Sequence, residues 1–208
     1  MELLSLAVLG ILIVISPGAD FVLVLKNSLN QGRRAGIWTA IGVSLAICVH
    51  IGYSMLGISY LISQNETLFN AVRYAGAAYL IYLGLKGIFS ASSGQQMTAQ
   101  AEAPVSSRQH FFQGFLCNVL NPKTMLFFLS IFSQVISPET SGNYFADNAL
   151  ALTYGLYMVV LHGVWFALVA ILFTSKALQA RLLTMKKALN QLCGAGLFTF
   201  GAVLALKS

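Results

Sequence analysis

Charge is what this sequence has least of. Of its 208 residues only 9% are Asp, Glu, Lys or Arg and 57% are hydrophobic, where a soluble domain carries roughly 25% charge. So few charges cannot cover a water-exposed surface, which excludes a soluble enzyme or binding module and points to a chain built for lipid. Cysteine is scarce too: Cys48, Cys117 and Cys193 stand singly in apolar segments. The absence of a C-x-x-C pair and of nearby metal partners leaves them as small buried hydrophobes and implies no metal centre and no cofactor. The N-terminus lacks the basic start and A-x-A-like site of a cleaved leader and carries Glu2 instead, so the first apolar segment is expected to stay as a membrane helix. The net charge of +6 is scattered in short clusters between apolar runs, which excludes a basic nucleic-acid-binding domain.

What is present is a series of long apolar runs. A spanning helix needs about 20 mostly apolar residues, and reading between charges gives six, at about 3–25, 37–62, 68–90, 111–136, 148–174 and 188–206. The second and fifth are clearest, lying in stretches 35–65 and 148–175 that contain no charged residue. Between the third and fourth lies "ASSGQQMTAQAEAPVSSR", small, polar and without periodicity, which reads as a flexible linker. The expected organisation is a first three-helix repeat over 1–90, a linker over 91–110 and a second three-helix repeat over 111–208.

Nine of the twelve basic residues fall after the first, third and fifth runs: Lys26, Arg33, Arg34, Lys86, Arg108, Lys176, Arg181, Lys186 and Lys187. The positive-inside rule makes those loops, the linker included, cytoplasmic and puts both termini in the periplasm. An odd number of helices per half inverts the second half relative to the first. "GAAYLIYLG" at 76–84 resembles "GAGLFTFG" at 194–201, a faint sign of such a repeat. The expected fold is therefore an all-α integral membrane protein of six transmembrane helices in two inverted three-helix repeats.

Two of the runs contain breakers at corresponding places, Ser16-Pro17-Gly18 and Asn121-Pro122-Lys123. Proline removes a donor and clashes with the preceding turn, freeing carbonyls that lipid cannot satisfy, and paired broken helices are the best sequence pointer to a transport site. Half-helix N-termini attract carboxylates, while freed carbonyls and an acidic side chain attract ammonium, so a zwitterion such as an amino acid suits the geometry. Asp20 lies one turn past Pro17 at a depth where an isolated charge costs at least ~2.5 kcal/mol. It needs a proton or a partner, and Lys123 is the natural one, unless both reach water at opposite interfaces. Ser16, Asn118 and Asn121 flank the breaks as helix caps or ligand contacts. His50 and His162 sit in the middle helix of each half, either as proton relays or as neutral rings bonded to Tyr53 or a backbone carbonyl; neither has metal-ligand spacing.

The stretches "SPGADFVLVLKNSLNQGRRAGIWTAIGVSLA", "YAGAAYLIYLGLKGI" and "GFLCNVLNPKTMLFF" together resemble the LysE/RhtB family of bacterial amino-acid exporters, in order and in six-helix layout, from about residue 10 to the C-terminus. The resemblance implies efflux of a small amino acid through the inner membrane, driven by proton exchange. Carried over residue by residue, it marks Ser16, Pro17, Gly18 and Asp20 in the first motif and Asn118, Asn121, Pro122 and Lys123 in the second as substrate- or proton-binding. Many members have a second proline where this chain has Ala19. The Asp after the first motif is closer to the homoserine and threonine branch, so threonine or homoserine is the expected substrate. Two other classes compete. A thiol-disulfide relay would need a cysteine beside each proline, but Ser16 and Asn121 stand there and Cys117 has no counterpart in the first helix. An intramembrane enzyme would use Asp20 with His50 or His162, but no nucleophile and base occur at recognisable spacing. A homo-oligomer is left open, because small-residue faces serve a dimer as readily as internal packing.

Overall fold

The computed structural model describes residues 3–64, 66–89, 105–135, 144–172, 174, 188, 191–199, 201–203 and 205–206. Seven helices carry them: α1 (Leu3–Ile15), α2 (Ala19–Gln64), α3 (Glu66–Ile88), α4 (Ser107–Val119), α5 (Pro122–Val135), α6 (Tyr144–Leu172) and α7 (Gln191–Val203). Most of the stretch read as a linker, and the basic cluster Lys176–Lys187, lie outside the described residues.

Polarity is arranged inside out. On α6, Leu152, Leu156, Val160, Val164 and Leu168 recur every four residues and are exposed, whereas Tyr154, Met158, His162 and Phe166 on the opposite face are buried. Asp20, Asn27, Thr39, His50, Asn118 and Ser130 are likewise buried. Apolar residues outward and polar residues inward is the pattern that hydrocarbon imposes, because polar groups there must find partners within the bundle. Among the described residues, Ala19–Gly57 and Ala149–Leu172 are long and apolar enough to cross a bilayer, and α4 with α5, bent by 54°, would make a third span. Among the described residues, α1 and the stretch Gln191–Val203 of α7 are apolar but shorter than a full span.

α2 is two helical arms joined at Gly32 rather than one straight helix. Asn27 Nδ2 donates to Thr39 Oγ1 at 2.9 Å, although a straight helix would separate residues twelve apart by about 18 Å. The chain doubles back at Gly32, whose φ of 84° and ψ of 176° belong to a region that only glycine occupies readily. The arm 19–31 then lies against the arm 33–64, and Phe21, Val24 and Leu25 pack on Ala40 and Val43. Where the sequence suggested a loop from Lys26 to Arg34, helix runs to Gln31 and the turn is a single residue. α4 likewise begins inside the stretch read as linker, at Ser107. Ser106 and Gln109 form a capping box there, each side chain bonding the other's backbone N–H.

Glycines set the closest helix contacts. A Cβ at Gly42 would run into the Phe111 carbonyl, and one at Gly114 into the Thr39 carbonyl, so α2 and α4 meet backbone to backbone. α3 and α7 meet in a reciprocal way: a Cβ at Gly84 would meet Phe198, and one at Gly201 would meet Ile81. Each glycine thus faces the residue three before the other. The main apolar core lies among α1, α2, α3, α5, α6 and α7, around Leu9, Ile47, Leu80, Phe127, Phe128, Met158 and Leu197.

Candidate functional site

The site forms where two helices stop and two begin. Ser16 N donates to Leu12 O at 3.0 Å as the last helical bond of α1, and Val22 N to Gly18 O at 3.1 Å is the first of α2. Between them Pro17 has no N–H to offer. In the second half, Leu120 N reaches Leu116 O at 3.1 Å, and α5 starts with Met125 N to Asn121 O at 3.0 Å. Asn121 Oδ1 caps α5 by accepting from Lys123 N at 3.0 Å.

Asp20, in the first turn of α2, is only 6% exposed. Its Oδ2 accepts from Asn118 Nδ2 at 3.0 Å and from Asn121 Nδ2 at 2.8 Å. Asn118, fully buried, also donates to Thr124 Oγ1 at 3.3 Å. The positive end of α2 adds to this stabilisation of a carboxylate. Asn121 therefore serves as cap and contact at once, one end of its amide on α5 and the other on Asp20. Oδ1 of Asp20 is buried with no hydrogen-bond partner.

Lys123 does not take the place expected of it. Its Nζ donates to the Ser16 carbonyl at 2.6 Å, and among the described residues it makes no direct ion pair with Asp20. The two asparagine amides reach the carboxylate instead, while the lysine ammonium sits on the C-terminal end of α1, where the helix dipole is negative. Opposite charges therefore flank one space without closing on each other.

That space is a narrow cavity. Ser16, Gly18, Asp20, Lys123, Thr124 and His162 bring polar groups to it, and Ile13, Val14, Phe21, Phe127, Phe128, Met158 and Phe166 form apolar walls. It has room for about one water molecule. Four elements contribute: the end of α1, the start of α2, the first turns of α5 and the middle of α6.

The two histidines part company. His162 lines the cavity, and its Nδ1 bonds the Met158 carbonyl at 2.8 Å, which fixes Nδ1 as the protonated nitrogen of the neutral ring and leaves Nε2 as an acceptor. His50 stands behind Asn118, outside the cavity lining, and stacks on Phe128 at 5.7 Å between centroids. Its Nε2 must donate to the Asn118 carbonyl at 3.0 Å, and its Nδ1 meets Tyr53 Oη at 2.7 Å. A peptide carbonyl accepts a hydrogen bond but holds no proton to hand on, so the contact with Asn118 is no relay to Asp20.

Sequence reasoning missed Thr124, which anchors Asn118, and a second polar cluster one turn or more away. There Asn27 Nδ2 donates to Gln113 Oε1 at 3.0 Å, and His110 Nε2 meets Gln31 Oε1 at 3.2 Å. The available signal was amide and hydroxyl side chains recurring on the inward faces of apolar helices. Among the described residues no group of three or more His, Cys, Asp or Glu could hold a metal ion. Cys48, Cys117 and Cys193 are free thiols.

Comparison with known proteins places this geometry in context. Residues 11–208 match the family model described as LysE type translocator. The chain is 36% identical over 172 residues to the uncharacterized membrane protein YrhP of Bacillus subtilis (strain 168), covering 79% of this chain and 80% of that one. It is 33% identical over 203 residues to the leucine efflux protein of Salmonella typhimurium (strain LT2), covering 94% of this chain and 91% of the relative. No solved structure matches it.

Proposed function

The chain belongs to the LysE type translocator family, and from that premise we propose that it exports a neutral, zwitterionic amino acid across the bacterial inner membrane in exchange for protons. The observation that carries this reading is the meeting of one buried carboxylate, one lysine ammonium and a freed backbone carbonyl on a single cavity between helix breaks. Those are the groups a zwitterion requires. The walls supplied by Phe21, Phe127, Phe128, Met158 and Phe166 are apolar and suit an aliphatic side chain better than a hydroxyl, which would need a partner when buried. One relative with a named cargo is a leucine efflux protein. Leucine is therefore the favoured substrate, ahead of the threonine or homoserine suggested by the first motif.

In this reading α1 with the arm 19–31, and α4 with α5, are two broken spans, and the chain crosses the membrane six times as inverted repeats 1–90 and 111–208, with both termini periplasmic. The reciprocal fit of Gly84 and Gly201 supports the two-fold relation. Substrate binds near mid-membrane, and Asp20, through its unpartnered Oδ1, carries the exchanged proton. The cavity opens to admit an amino acid, since as it stands it holds about one water.

Proteoliposomes loaded with radiolabelled leucine, threonine or homoserine and given a pH gradient test this directly. Gradient-driven release by the wild-type protein, greatest for leucine and abolished in Asp20→Asn, is the expected result. Undiminished gradient-driven release by that variant would remove Asp20 from the coupling. Release of threonine in preference to leucine would return the substrate to the hydroxylated class.

A further inference from the structure

The bond between Lys123 Nζ and the Ser16 carbonyl, at 2.6 Å, spans the two halves of the chain. The carbonyl is available because Pro17 follows it and α2 restarts on the Gly18 carbonyl instead. A lysine ammonium resting on a freed carbonyl, close to a carboxylate whose second oxygen is buried and unpartnered, has the surroundings that the α-ammonium of an amino acid would seek. The α-carboxylate of the same ligand would need a cation. Among the described residues the only lysine or arginine lining the cavity is Lys123. Gly18 contributes no side chain between them: a Cβ there would lie 3.5 Å from Lys123 Cδ and Nζ, so the lysine stem lies directly along the backbone of the break.

We propose that Lys123 is a tethered stand-in for the substrate. In the empty protein its ammonium occupies the Ser16 carbonyl. On binding, it turns to the α-carboxylate of the ligand and yields the Ser16 carbonyl to the ligand's α-ammonium, which also takes the unpartnered Oδ1 of Asp20. No covalent step is involved, only an exchange of one ammonium for another. This rests on the amino-acid export reading and narrows it: the site reads both charges of a zwitterion with two charges of opposite sign. A ligand bearing the ammonium but lacking the carboxylate leaves Lys123 displaced and unpaired, and a basic amino acid adds an unbalanced cation. Both are rejected, because an unpaired buried charge is costly.

The test is equilibrium binding of leucine and of leucinol, which keeps the ammonium and lacks the carboxylate, to the purified full-length protein in detergent. Wild type is expected to prefer leucine by at least about tenfold, as a buried charge pair warrants. Lys123→Met removes the competing ammonium along with the carboxylate partner, so leucine weakens, leucinol tightens and the preference reverses. Lys123→Arg keeps the preference for leucine. Equal weakening of both ligands in Lys123→Met would mean that the lysine merely caps α1, and would overturn the proposal. Should Lys123→Met fail to run as a single species on size exclusion, wild type decides: leucinol bound as tightly as leucine overturns the stand-in role. Wild type that binds neither leucine, threonine nor homoserine overturns the export reading, and this inference with it.

Discussion

Asn121→Ala removes two things at once, and their separation tests whether Asp20 is a charged carboxylate in the resting protein. One loss is the cap on α5, Asn121 Oδ1 accepting from Lys123 N, worth about 1 kcal/mol. The other is an amide donated to Asp20 Oδ2 at 2.8 Å, worth roughly 1.5–3 kcal/mol if the acceptor is ionised. The single variant should therefore lose roughly 2.5–4 kcal/mol of stability. In a double-mutant cycle with Asp20→Ala, which removes the acceptor altogether, the cap is lost in both backgrounds and cancels, leaving only the bond to the carboxylate. Interhelical hydrogen bonds inside membrane proteins average about 0.6 kcal/mol, so a charged acceptor stands out above that background. The assay is reversible unfolding by sodium dodecyl sulfate from mild-detergent micelles. A coupling energy above about 1.5 kcal/mol is expected; one at or below the ~0.6 kcal/mol background would refute an ionised Asp20 held by the asparagines.

Three further substitutions probe the backbone at two glycines and the contacts of His50. Gly32→Ala should cost ~1–3 kcal/mol in the same unfolding assay, although nothing lies within 4 Å of the added methyl, because a φ of 84° with a ψ of 176° strains any other residue. Gly52→Ala, also open but within regular helix, should be neutral or stabilising by up to about 1 kcal/mol. His50→Gln should lower stability through its contacts to Tyr53 and the Asn118 carbonyl while leaving gradient-driven release within an order of magnitude of wild type. Loss of release with folding intact would put His50 back in a proton path.

Much of the site was legible because its chemistry is written in local breakers. Proline and its neighbours mark where helices end, and α1 stops at Ile15 and α4 at Val119, each just before one of them. A lone carboxylate in an apolar run demands partners, and Asn118 and Asn121, flanking the second break, provide them. The partner choice was not legible. Opposite charges suggested that Lys123 would reach Asp20, but which of a carbonyl, an amide or a carboxylate a long side chain meets depends on helix ends converging in three dimensions. The turn at Gly32 was hidden for a related reason: "KNSLNQGRR" at 26–34 has the polarity of a loop, yet its Asn27 and Ser28 find partners in Thr39 and the Val24 carbonyl and need no water. His50 and His162 are alike in sequence setting, and only the packing of α4 and α6 separates the one behind Asn118 from the one on the cavity.

The carbonyls of Phe111 and Thr39, seated where Gly42 and Gly114 have no side chain, bear on how the protein moves. A helix pair in contact through its backbone cannot slide or part in small steps, since each shift opens a void that no side chain can follow. The second arm of α2 and α4 therefore travel as one strut. The chain bends by 54° between α4 and α5, at Leu120–Asn121, and the corresponding break lies at 16–18; a joint outside the strut is where an angle can change. Asp20 and Lys123 each sit a turn or less beyond one of these joints. A change of angle at either would move a charge relative to the strut, so in the export function proposed above the residues that would meet the cargo and the joints that would admit it are the same few positions.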